Sequence, residues 1–164
     1  MDAALDAQLC REHLAEVLSD EAALLAELRT LLEREQEVLG TRDAVAVEQA
    51  VQARQERMGA LTRLEEQRRS LCSLHGYSPD YAGLEGLMLW CDPRGTLVSR
   101  LRECAHRAAE CRDLNDRNGT LVAAKLQRVQ GLLGALTGRP GSADTYGPAG
   151  VAAPTRPGRV LGAA

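Results

Sequence analysis

Phenylalanine is absent from this 164-residue chain, which has one tryptophan and three tyrosines. The cores of β-sandwiches draw on aromatic and β-branched residues, so this shortage argues against a sheet protein. Lysine is nearly absent as well, with Lys125 the single example. The positive charge is carried by arginines interleaved with acids, at a net charge of -3. No basic block marks a phosphate-binding face, and a nucleic-acid partner is not expected. Long apolar runs are missing, and the N-terminus opens Met1-Asp2-Ala3-Ala4 with no basic flank and no apolar leader stretch. Membrane insertion is therefore not expected, and the cytoplasm is the expected location.

Motifs that carry chemistry are lacking too. There is no Gly-x-Ser-x-Gly turn and no glycine-rich phosphate loop for His13, His75 or His106 to serve, so no catalytic residue is assigned and no cofactor is expected. The acids near Glu33 and Glu65 sit among arginines, the pattern of a solvated helix face. Five cysteines, Cys10, Cys72, Cys91, Cys104 and Cys111, form no CxxC pair and are odd in number. They read as reduced thiols inside a core. Cys72 with His75 and Cys104 with Cys111 could in principle converge on a metal, but such helical spacings arise readily by chance and no ligand loop accompanies them. No metal is expected.

What the chain does contain is Leu, Ala and Val, which bring its hydrophobic share to 45%, and these are the packing residues of helix bundles. Leu18, Leu25, Leu32 and Leu39 recur seven residues apart, flanked by Leu14 and Leu28. This predicts a first long helix from Asp2 to Leu39, ended by Gly40 in a left-handed conformation. Thr41 or Asp43 can cap a second helix, with a stripe of Val47, Val51, Met58, Leu61, Leu64, Leu71 and Leu74, that stops at Gly76. The short connection predicts antiparallel neighbours.

Ser78-Pro79 and Asp92-Pro93 then bracket a short helix. Its Leu87, Met88, Leu89 and Trp90 are expected to plug one end of the bundle, with Trp90 in the core. A third long helix begins near Thr96, its seam running from Leu97 through Cys104, Cys111, Asn115, Asn118, Val122, Lys125, Val129 and Leu132 to Leu136. The expected fold is all-α: an elongated antiparallel bundle of three long helices and one short one, with coiled-coil-like packing over residues 1–137. Residues 138–164, rich in Pro and Gly, are expected to form a flexible, disordered tail.

Two amides interrupt the last seam within Leu114-Asn115-Asp116-Arg117-Asn118-Gly119. A buried amide needs partners, so Asn115 and Asn118 are expected to fix the register of the bundle, and Gly119 to let a neighbouring backbone approach. The alternative ends the helix at Asn118-Gly119 and restarts it at Thr120. Beyond Gly119 the apolar face widens to Leu121, Val122, Leu126, Val129, Leu132, Leu133 and Leu136. Either the first two helices cover all of it, or part remains for an amphipathic partner helix.

The order of these features resembles the FlgN family. The specific part is Leu114-Asn115-Asp116-Arg117-Asn118-Gly119, then Leu132-Leu133-Gly134-Ala135-Leu136-Thr137-Gly138 and Thr145-Tyr146-Gly147-Pro148-Ala149-Gly150. The resemblance implies an export chaperone that binds the C-terminal helices of hook-filament junction proteins, prevents their premature assembly and delivers them to the flagellar type III export gate. It places client binding on the face from Leu121 to Leu136 and makes Tyr146 the candidate for docking on the gate. It offers no role for the residues after Gly150. A different class fits the same periodicity: a structural coiled-coil adaptor or homo-oligomeric scaffold, whose seams bind another copy and so allow a homodimer.

Overall fold

Four helices and no strand occur among residues 3–138, the part of the chain described by a computed structural model. They are α1 (Ala3–Leu39), α2 (Ala44–Leu74), α3 (Tyr81–Cys91) and α4 (Val98–Thr137). The chain divides into two units, Met1–Lys125 and Leu126–Ala164.

In the first unit α1 is the central helix. Its seam buries Cys10, Leu14, Leu18, Leu25, Leu28, Leu32 and Leu39, and at 1.5 Å per residue the helix is about 55 Å long. The direction of its neighbours follows from their polar contacts. Arg68 reaches Glu21 at 2.9 Å, Arg57 reaches Glu27 at 2.7 Å and Arg54 reaches Glu35 at 3.2 Å, so α2 runs antiparallel to α1. On α4, Cys104 donates to the Leu18 carbonyl, Cys111 to Leu25 and Asn118 to Leu32, so α4 runs parallel to α1. Small donors at these positions let α4 use the free lone pairs of α1 carbonyls already bonded within their own helix.

The connections use different chemistry from that expected at one point. Gly40 does not take the left-handed conformation; its N–H bonds Glu37 O at 3.0 Å and Thr41 N–H bonds Val38 O at 3.0 Å, so the helix tightens into its turn. Of the two candidate caps, Asp43 is the one used, accepting from Ala46 N–H at 3.0 Å. Gly76 ends α2 with a φ of 77°, where a side chain would be strained.

Asp80 caps α3 by accepting from Gly83 N–H at 2.8 Å, and its bonds to Ser78 and Gly83 hold its carboxyl below the usual range. A Cβ at Gly83 would collide with the Ser78 carbonyl, so only glycine permits this tight entry. The buried Asp92 closes α3 and opens α4, accepting from Leu97 N–H at 2.7 Å and from the Thr96 hydroxyl at 2.9 Å.

The end plug is smaller than the sequence predicts. Leu84, Leu87, Met88 and Cys91 are buried, but Leu89 is 76% exposed and Trp90 37%. Four consecutive apolar residues subtend more than a full turn of helix, and a helix packed on one side covers only part of that circumference. Trp90 lies on the surface with its ring centroid 5.0 Å from that of His75. In α2 the stripe is also exposed at its last residue, Leu74, and at Met58 midway along it.

All five cysteines are buried and free. Burial, with Cys91 and Cys72 nearby, pushes the Cys10 thiol up from 9.0 to about 12, and burial pushes Cys104 to about 11. Among the described residues no group of three or more His, Cys, Asp or Glu is placed to hold a metal ion, and no helix is long and apolar enough to cross a membrane.

Candidate functional site

α4 is one continuous helix of 40 residues, so the alternative with a break at Asn118-Gly119 does not hold. Gly119 also has no close neighbour: a Cβ there would meet nothing within 4 Å, and the expected backbone approach is absent. The residue is exposed, and i→i−4 bonding alone carries the helix through it.

Both amides are engaged, although the buried Asn118 Oδ1 accepts from no donor among the described residues. Asn118 is 3% exposed and donates to Leu32 O at 2.9 Å and to Glu35 Oε2 at 3.2 Å. Asn115 accepts from the Arg54 guanidinium at 2.9 Å, and Arg54 Nε lies 3.2 Å from Glu35 Oε2. One side chain from α1, one from α2 and two from α4 therefore meet in a single polar cluster. Leu114 lies half-buried beside the apolar core. The cluster places a carboxylate that is 3% exposed inside the bundle, which is tolerable only because a guanidinium pairs with its charge and an amide donates to it.

The acids near Glu33 are expected on a solvated helix face, but Glu35 is 3% exposed, and neither it nor Arg54 is expected in the core, although a signal is present. Leu14, Glu21, Leu28 and Glu35 form one heptad row, so two acids stand at core-facing positions. Their partners Arg68 and Arg54 have the same fourteen-residue separation on α2. An acid in the seam of one helix and a matching arginine in the next is a readable pattern for paired ions.

Downstream of the cluster the seam changes character. Lys125 Nζ bonds Thr41 O at 2.8 Å, in the turn that follows α1. In the register that sets Cys104 against Leu18 and Asn118 against Leu32, the last residue of α1, Leu39, falls opposite Lys125, where the first unit ends. In the first unit Leu121 and Val122 are exposed. In the second, Leu126, Val129, Leu132, Leu133 and Leu136 are exposed as well, so the seven range from 41% for Leu121 to 83% for Leu136. Tyr146 lies outside the described residues.

A second apolar feature lies within the first unit, a cleft of about 330 Å³ between α2 and α4 above Leu25, Leu28 and Leu32. Those three leucines are only 1% to 6% exposed, so the cleft offers little uncovered apolar surface.

A helical bundle with an uncovered apolar stripe on its last helix falls in the class of helical protein-interaction proteins, which recognise partners by laying amphipathic helices together. The sequence model of the FlgN protein family matches residues 10–154, and the chain belongs to that family. FlgN is a flagellar export chaperone family and not an enzyme family. No curated protein and no solved structure matches the chain.

Proposed function

We propose that this chain is a cytoplasmic chaperone for hook-filament junction proteins. It binds their C-terminal helices, prevents premature assembly and delivers them to the type III export gate. The client helix lies on Leu121, Val122, Leu126, Val129, Leu132, Leu133 and Leu136. The supporting observation is the exposure of all seven residues along α4, in a member of the FlgN family. Leu114, Asn115, Asn118 and Gly119 belong to the family motif, and the two amides hold α4 in the register that leaves the stripe uncovered. Tyr146 serves in docking on the gate, as the family resemblance implies.

The physics suits such a task. A client helix that would otherwise polymerise buries its apolar side on a matching stripe, and a site that competes for either partner releases it. Burying a leucine contributes about 1.5–3 kcal/mol before association costs, so a handful of such contacts gives micromolar to nanomolar binding.

Co-expression with the C-terminal helix of a hook-filament junction protein tests this reading. The expected result is a stable heterocomplex that Leu126→Asp or Leu133→Asp weakens about a hundredfold, with the circular dichroism spectrum unchanged. Self-association without client binding would favour the scaffold class instead. Truncation after Gly138 should spare client binding and impair delivery; full motility restored by the truncated chain would remove the tail, and Tyr146 with it, from the mechanism.

A further inference from the structure

The outer face of α3 and the first turns of α4 enclose a cleft of about 370 Å³ that the client reading does not use. Tyr81, Glu85 and Leu89 lie on its α3 side at helical spacings of four, and Val98 and Arg102 lie on its α4 side. Tyr81 and Leu89 are among the most exposed large apolar residues of the first unit.

The polar groups of this cleft are unequally committed. Asp92 spends its carboxylate on Leu97 N–H and the Thr96 hydroxyl. Glu85 and Arg102 make no hydrogen bond or ion pair, with each other or with any other described residue. The cleft therefore carries one uncommitted anion on its α3 wall and one uncommitted cation on its α4 wall, with apolar surface between them. Such a face is complementary to itself. Rotated by 180° onto a second copy, the anion of each meets the cation of the other and the apolar centres meet.

We propose that this cleft is a two-fold interface between two copies of the chain, with Leu89 of each copy packed against the other and Glu85 of one facing Arg102 of the other. A foreign partner would have to supply both charges in the right order, whereas a second copy does so by symmetry alone. The interface shares no residue with the stripe on α4, so the proposal does not depend on the client reading. A face built on one apolar contact and two charge pairs falls short of a permanent dimer, and the pairing is expected in the range of about ten to a hundred micromolar.

Sedimentation equilibrium of the full chain tests this, with Glu85→Arg, Arg102→Glu, the double variant and Leu89→Asp. All four changes fall at exposed positions, and circular dichroism confirms the fold. Each single reversal should weaken the dimer by about tenfold or more, because it sets like charges opposite each other twice. The double reversal should return it to within about threefold of the unaltered chain, and Leu89→Asp should leave a monomer. A chain that stays monomeric at several hundred micromolar overturns the proposal. So does a dimer indifferent to the single reversals, or one that the double reversal fails to restore.

Discussion

Asn118 Nδ2 lies 2.9 Å from the carbonyl oxygen of Leu32, extending the contacts that Cys104 and Cys111 make with Leu18 and Leu25. Donors and acceptors both step by seven residues, so the contacts amount to a ruler between α4 and α1. The two thiols are weak donors, whereas the amide is a strong one that also holds Glu35. Asn118→Ala should therefore cost about 1–3 kcal/mol and lower the melting temperature by a few degrees for each kcal/mol. Thermal and urea unfolding followed by circular dichroism measure it, and unfolding at the unaltered midpoint would show that the ruler is not set here.

Glu35 and Arg54 give a second prediction, which concerns order and not only size. Arg54→Met leaves a buried carboxylate with the Asn118 amide as donor and no counter-ion, while Arg54→Met with Glu35→Leu removes the charge altogether. The single variant should be the less stable of the two, by about 1–3 kcal/mol. Comparison of urea midpoints decides it; a double variant less stable than the single would mean that the acid itself stabilises the bundle.

Gly119 supplies the third. It is exposed, its φ is not positive and a Cβ would meet nothing. Gly119→Ala should raise stability by about 1 kcal/mol through helix propensity alone. A loss of stability in the isolated chain would mean that the glycine serves the fold in a way its surroundings do not show.

The buried thiols give the fourth. Every cysteine has its thiol pushed above 9.0 by burial, Cys10 to about 12 and Cys104 to about 11. Above pH 9 the unfolded chain releases these protons and the folded chain keeps them, so the folded state binds more protons and stability falls with rising pH. The contribution is intact below pH 9 and is lost as pH climbs through 11 to 12. With a single lysine in the chain, few other groups titrate across this window apart from three tyrosines. Urea midpoints at pH 7.5 and 10 should differ in that direction, and the native thiols should react slowly with a disulfide reagent. Equal midpoints, or rapid native labelling, would contradict the burial.

Much of the fold was legible in the residues because heptad leucines, Pro-marked breaks and Gly76 are local signals. The seam of α1 lies where Leu14, Leu18, Leu25, Leu28 and Leu32 place it, and Asp43 and Gly76 act at the ends of α2. Three readings failed for one shared reason: a residue's type does not say what stands opposite it. Gly40 is tightened by two backbone bonds instead of turning left-handed. Gly119 faces open space, and Trp90 lies outside because α3 has only one side to pack.

The sequence by itself determined that this chain is helical, where its long helices begin and end within a few residues, and which face of each is apolar, because periodicity and capping act over one or two turns. It also carried the resemblance to the family whose model matches residues 10–154. Only the tertiary structure decided that α4 runs beside α1 in a register that ends near Lys125, that Glu35 and Arg54 complete the site of the two amides, and that the leucines from Leu121 onward are exposed. Those outcomes depend on how far one helix extends relative to another, and that relation is set by contacts between residues some eighty positions apart.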